Sequence, residues 1–189
     1  MKILFLDHDG VICLASEWGS RYKKQRKAKR KLSQSVLSLP VDARFDIFNK
    51  SAVKVLNEIL IQSGAEIVVS SDWQYWASVE EMGDYYESQG IIKRPIDFTG
   101  NAIDQSKVTW HREWDKEGTR SLEIQDWLSK HPEVTHWVAV DDLDLGKRGL
   151  YLNTEFYHDW GLENFALVEI LSKGIKQKGL KEKILSFLH

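Results

Sequence analysis

Three polar clusters in this chain each close a short apolar run. The stretch KILFL (2–6) leads into Asp7-His8-Asp9-Gly10, AEIVV (65–69) into Ser70-Ser71, and HWVAV (136–140) into Asp141-Asp142. A carboxylate at the end of a strand can attack phosphorus, giving an aspartyl-phosphate that water then hydrolyses. Asp7 is the candidate nucleophile. The leaving oxygen needs a proton, and Asp9 is the candidate acid/base. The Asp-x-Asp spacing sets both side chains on one side of an extended chain. Gly10 lets the chain turn away sharply and joins the substrate-binding set.

Carboxylate and phosphate repel each other, so a cation is needed between them. Mg²⁺ suits the task, because it takes carboxylate, carbonyl, phosphate and water oxygens. Asp7, Asp9, Asp141 and Asp142 are its candidate ligands. Ser70 is expected to donate to a phosphoryl oxygen, with Ser71 beside it in contact with substrate. A basic side chain must also offset the charge of phosphate and aspartate. Arg120, opening a predicted helix, is the first choice, with Lys116 behind it. The bland alternative for Arg120 is pairing with Glu123 or Asp126 on its own helix.

The elements that must position these residues are legible as periodicity. Besides the three buried strands, short extended pieces are expected at 96–99 and 150–152. Helical spacing covers 51–61, 78–89, 120–130, 161–173 and 179–188. Apolar strands alternating with helices predict an α/β, Rossmann-like, mostly parallel sheet with helices on both faces. In such sheets the ligand site lies at the carboxyl ends of the strands, where all three clusters fall. Residues 1–189 read as a single domain. Within it, 14–48 form a small basic insert or minimal cap, with 16–38 a surface helix or mobile arm and 41–50 a loop. No segment between 71 and 119 is long enough for a large α/β cap.

Composition narrows the class. The chain has 189 residues, 42% hydrophobic and 29% charged, enough for a substantial core. Its net charge of −2 hides an asymmetry: residues 21–31 (RYKKQRKAKRK) hold eight bases and no acid, leaving 18 of the 26 bases against all 28 acids elsewhere. Such a run is most simply a solvated face, but it also suits nucleic acid, anionic membrane or an acidic protein. A single cysteine, Cys13, excludes an intramolecular disulfide. No apolar run is long enough to span a membrane, and the N-terminus lacks the pattern of a secretory signal. A soluble intracellular protein is expected, with a signal-less export route left open. The sequence leaves oligomeric state undetermined, and an end at His189 is compatible with a fragment of a longer protein.

The order of FLDHDGVI, NKSAVKVLNEILIQSGAEIVVSSDW, RSLEIQDWL and VAVDDLDL resembles the haloacid dehalogenase (HAD) superfamily. It is most similar to the small HAD phosphatase domains of RNA-repair proteins and of phage and bacterial stand-alone proteins. The resemblance covers roughly residues 1–13, 49–90 and 119–170, with a weaker echo at Thr154 and Gly161-Leu162. It implies Asp7 as nucleophile, Asp9 as acid/base, Ser70 as phosphate ligand, and Asp141 and Asp142 as metal ligands. The backbone carbonyl of Asp9 would be a further ligand. Dehalogenating members lack an acid at the position of Asp9, so the resemblance favours phosphoester hydrolysis. Residues 14–48 and 100–118 exceed the family pattern, and they bear on the substrate.

Other residues have plainer readings. His8 should point away from the site, and Cys13 reads as a small buried residue. Trp73, Trp76, Trp127 and Trp137 read as core or near-core. Trp110, His111, Arg112 and Trp114 form an aromatic-basic cluster that packs or stacks on a substrate. The expected function is a Mg²⁺-dependent phosphomonoester hydrolase with an open site for a macromolecular ester: a phosphoprotein such as phosphotyrosine, or a nucleic-acid end phosphate. Two alternatives stand beside it. One is a nucleic-acid or anionic-membrane binding module with a vestigial site, and the other a small-metabolite phosphatase or nucleotidase.

Overall fold

The computed structural model describes residues 1–29, 37, 39–100, 116–146 and 161–189. Five strands form one all-parallel sheet: β1 (Lys2–Leu6), β2 (Glu66–Val69), β3 (Pro95–Phe98), β4 (His136–Asp141) and β5 (Phe165–Leu167), in the order β3-β2-β1-β4-β5. The six α-helices among these residues are α1 (Ser20–Lys29), α2 (Val41–Arg44), α3 (Lys50–Ser63), α4 (Val79–Ser88), α5 (Lys116–Ser129) and α6 (Leu180–Leu188). The Rossmann-like α/β architecture expected from the alternating pattern is therefore present. No helix of the described residues is long and apolar enough to cross a membrane.

Alternation along the strands divides the core in two. Leu4, Leu6, Ile67, Val69, Val138 and Val140 face a layer that includes Leu56, Ile59 and Leu60 of α3, Tyr85 and Tyr86 of α4, and Ile184 of α6. Ile3, Phe5, Val68 and Ala139 face Ile124 and Trp127 of α5. Both faces of the sheet are buried, which is why its strands read as continuous apolar runs.

Capping fixes the helix ends. The Asn49 side chain accepts from the Ala52 N–H at 3.2 Å, and Gly64, at φ 71°, closes α3 with its N–H on the Leu60 carbonyl. Ser78 and Glu81 form a reciprocal capping box at the start of α4.

The register does the positioning. Leu6 pairs with Val69 on one side and with Val140 on the other. The next residue of each strand is Asp7, Ser70 and Asp141, so the three stand side by side. The Asp7 N–H donates to the Val140 carbonyl at 3.1 Å, and the Ser70 N–H to the Leu6 carbonyl at 3.0 Å.

Several expectations need revision. Residues 161–173 are not a helix. The edge of β4 draws Phe165–Leu167 into a strand, and pairing that also buries Phe165 and Ala166 outweighs the helical spacing of GLENFALVEILSK. Residues 41–44 form the short helix α2 rather than loop, started by Pro40. Trp76 is 45% exposed rather than core. The expected strand at 150–152, Thr154 and the cluster Trp110, His111, Arg112 and Trp114 lie outside the described residues.

Candidate active site

Asp7 follows β1 and is almost fully buried. Its closest cation is Arg120, in the second turn of α5. Arg120 Nη1 lies 3.0 Å from Asp7 Oδ1 and 3.3 Å from Asp141 Oδ2, and it also donates to the Ser70 carbonyl. Nη2 reaches Asp72 Oδ1 at 3.1 Å. One guanidinium thus ties together the ends of β1, β2 and β4. Among the described residues its hydrogen bonds go to these site groups rather than to Glu123 or Asp126 of its own helix. Burial works against the charge of Arg120, but Asp7, Asp141 and Asp72 outweigh it and raise its pKa above the ordinary value.

The carboxylates face the reverse conflict. Burial raises Asp7 from 3.8 to about 6, opposed by Arg120 and by a hydrogen bond from the Ser71 hydroxyl. Burial, and then repulsion from Asp7, push Asp141 well above its ordinary value. Asp142 is raised in the same direction by burial. Asp7, Asp141 and Asp142 each offer a carboxylate oxygen within 4.8 Å of the others. Three acids against one arginine leave excess negative charge, and an all-oxygen donor set fits a hard divalent cation.

Gly10 has a specific reason to be glycine. Its φ is +74°, and a Cβ there would stand 2.6 Å from Asp142 Oδ2. The absent side chain admits both the left-handed turn and the close approach of Asp142.

Asp9 lies at the mouth of the site. Its Oδ2 accepts from the Trp73 indole N–H at 2.8 Å. Burial raises its pKa, tempered by the Trp73 bond. Trp73 is itself held by stacking on Phe45 and Phe48, with ring centroids 4.7 and 5.4 Å away. His8 turns the other way, as alternation requires, and its Nε2 meets the Tyr86 hydroxyl at 2.6 Å in the core. Cys13 is buried, and its thiol pKa is pushed up by burial and then by Asp9.

The two serines divide differently from the expectation. Both are buried, but Ser71 lines the cavity and bonds Asp7, whereas Ser70 offers its carbonyl to Arg120. The Ser70 hydroxyl is buried without a hydrogen-bond partner. Lys116 is the first residue of α5, a full turn before Arg120.

A cavity of about 500 Å³ opens over Asp7, Asp9, Ser71, Arg120 and Asp142. Its remaining wall comes from the insert, through Trp18, Gly19, Arg21, Tyr22 and Asp46, together with Asp72 and Leu143. The sequence reading missed Asp46 and Asp72; it took Trp73 as core, as its burial bears out, but without its bond to Asp9. Asp72 and Trp73 directly continue the polar end of β2, a signal that was available. Asp46 lies in the insert, and no local spacing marks it.

An all-parallel sheet with an acidic, arginine-bridged site at its strand ends is the arrangement expected of a hydrolase of the HAD type. The sequence profile described as the HAD domain in Swiss Army Knife RNA repair proteins matches residues 3–162, and the chain belongs to that family. No curated protein and no solved structure gives a significant match.

Proposed function

We propose that this protein is a Mg²⁺-dependent phosphomonoester hydrolase that removes the terminal phosphate of a nucleic-acid strand through an aspartyl-phosphate on Asp7. The observation that carries the reading is the buried Asp7 carboxylate, bridged by Arg120 to Asp141, with the carboxyl of Asp9 on the same cavity.

In this mechanism an Asp7 oxygen attacks phosphorus, and the ester oxygen leaves with a proton from Asp9. The raised pKa of Asp9 suits it to hold that proton. Asp9 then takes a proton from water as the water attacks the phosphorus of the aspartyl-phosphate, freeing Asp7 and inorganic phosphate. Arg120 and the Ser71 hydroxyl offset charge on the transferring oxygens. Asp7, Asp141 and Asp142, with the Asp9 backbone carbonyl, would hold Mg²⁺. Bound there, the metal supplies neutralisation of the phosphate and carboxylate charges.

Two features favour a nucleic-acid substrate. The family is described from RNA repair proteins. Helix α1 begins at the cavity wall and carries six Lys or Arg in ten residues with no acid, a charge pattern suited to successive phosphates.

The test compares wild type and Asp7→Asn on an aryl phosphate in Mg²⁺, then on phosphopeptides, terminally phosphorylated oligonucleotides and nucleotides. Wild type should turn over the aryl phosphate and prefer oligonucleotides, and the folded variant should fall to background. Full activity in Asp7→Asn would sink the mechanism. Preference for peptide or free nucleotide would overturn the substrate assignment.

A further inference from the structure

The insert places two exposed aromatic rings on the wall of the acidic cavity. Trp18 is 47% exposed and Tyr22 57% exposed, yet both line the same cavity as Asp7 and Asp9.

The Trp18 ring is held by its indole, and the backbone leading into Tyr22 is held by Asp46. Asp46, buried at the base of the insert, accepts from the Gly19 N–H at 3.1 Å, the Ser20 hydroxyl at 3.1 Å and the Arg21 N–H at 2.6 Å. The Ser20 oxygen accepts in turn from the Ile47 N–H at 2.9 Å. The Trp18 indole N–H donates to the Cys13 carbonyl at 3.2 Å. Arg21 lies over the Tyr22 ring, its Cζ 5.4 Å from the centroid. Helix α1 has almost no apolar residue to bury, so polar contacts anchor it: these bonds at its first turn, and Lys24 Nζ on the Asp42 carbonyl at 2.8 Å. Part of the cost of ordering Trp18 and the segment that carries Tyr22 is thus met before any ligand arrives.

We infer that Trp18 and Tyr22 are specificity-determining residues that stack on the base of the nucleotide bearing the phosphate, while the Lys- and Arg-rich helix α1 meets the strand beyond it. The inference rests on the phosphatase reading above and adds what selects the substrate. Flat aromatic faces accept any base, so the expected selectivity is for the presence of a base and not for its identity. The six Lys or Arg in the sequence of α1, which starts at the cavity wall, favour a polyanion over a phosphopeptide.

The test uses the full chain in Mg²⁺ and one short, terminally phosphorylated RNA, either intact or lacking the base of its terminal nucleotide. Wild type should lose about tenfold or more in kcat/KM when the base is removed, the worth of one stacked base. Trp18→Ala/Tyr22→Ala should hydrolyse the two RNAs equally. Trp18→Phe, which keeps a ring, should regain preference for the intact RNA. Trp76→Ala, at an exposed tryptophan outside the cavity, should keep the full preference. An equal penalty for base removal in wild type and double variant overturns the inference, as does the absence of a penalty in wild type. A phosphotyrosyl peptide turned over better than either RNA also overturns it. Loss of all aryl phosphate turnover in wild type refutes the phosphatase reading as well, so the two failures are distinguishable.

Discussion

Arg120→Met removes the one cation among the described residues that touches Asp7 and Asp141, while keeping a long side chain in place. The consequence can be sized from the geometry. At an effective dielectric of about 20, opposite charges 3.0 Å apart attract by roughly 5–6 kcal/mol, and the 3.3 Å contact by about 5. Desolvation of the guanidinium offsets part of this. Breaking a buried pair from one side leaves a net loss of about 3–5 kcal/mol. For a chain of this size that corresponds to a fall in Tm of roughly 10 °C. The loss should depend on pH in a defined direction. Arg120 holds down the pKa of both carboxylates against burial. Without it both rise further above their unfolded values, so the folded variant binds more protons than the unfolded chain. Its stability then falls as pH rises, and the deficit is larger at pH 8 than at pH 5. Mg²⁺ should restore part of the stability at pH 8, because it binds the folded carboxylates. Thermal melts of both proteins at the two pH values, with and without Mg²⁺, measure all three effects. A variant that melts like wild type at pH 8, or a deficit independent of pH, would refute the reasoning.

Two further changes probe the surroundings. Burial raises Glu123, one turn beyond Arg120, from 4.5 to about 7, with Arg120 opposing and Asp72 adding. A raised carboxyl favours the folded state when protonated, so its penalty is absent below about pH 4.5 and complete above about pH 7. Glu123→Gln should therefore gain on wild type in urea melts as pH rises from 5 to 8, by up to about 3 kcal/mol; parallel pH curves would contradict this. Gly10→Ala forces a side chain into a left-handed turn and against Asp142 at 2.6 Å. It should cost at least about 1–2 kcal/mol and weaken the rise in Tm caused by Mg²⁺; an unchanged Mg²⁺ response would show that Asp142 does not need that approach.

Most of the framework was legible because it is written in local patterns. The strands β1, β2 and β4 are apolar runs that end in polar clusters, and buried parallel strands leave that mark in any sequence. Gly64, Ser78 and Glu81 stop and start helices by short-range hydrogen bonds, which spacing reveals. β5 was misread because three residues on a sheet edge carry too little pattern of their own, and the open side of β4 decides their conformation. The site was legible where neighbouring strand ends form it, as at Asp7 and Asp141. The exchange between Ser70 and Ser71 was not, since one residue of offset reverses which side chain faces the cavity. Asp46, Trp18 and Tyr22 were hidden for a different reason. They lie in the insert, and long-range bonds that no local pattern marks, from Asp46 to Gly19, Ser20 and Arg21, help to bring them to the cavity.

The central claim is that Asp7 carries the phosphoryl group. Wild-type protein can be mixed with a phosphomonoester in Mg²⁺, quenched in acid during turnover, and digested for mass spectrometry. The account predicts a phosphoryl adduct on the peptide containing Asp7, lost in Asp7→Asn along with hydrolysis. Undiminished hydrolysis by Asp7→Asn, or an adduct on any other residue, would contradict it.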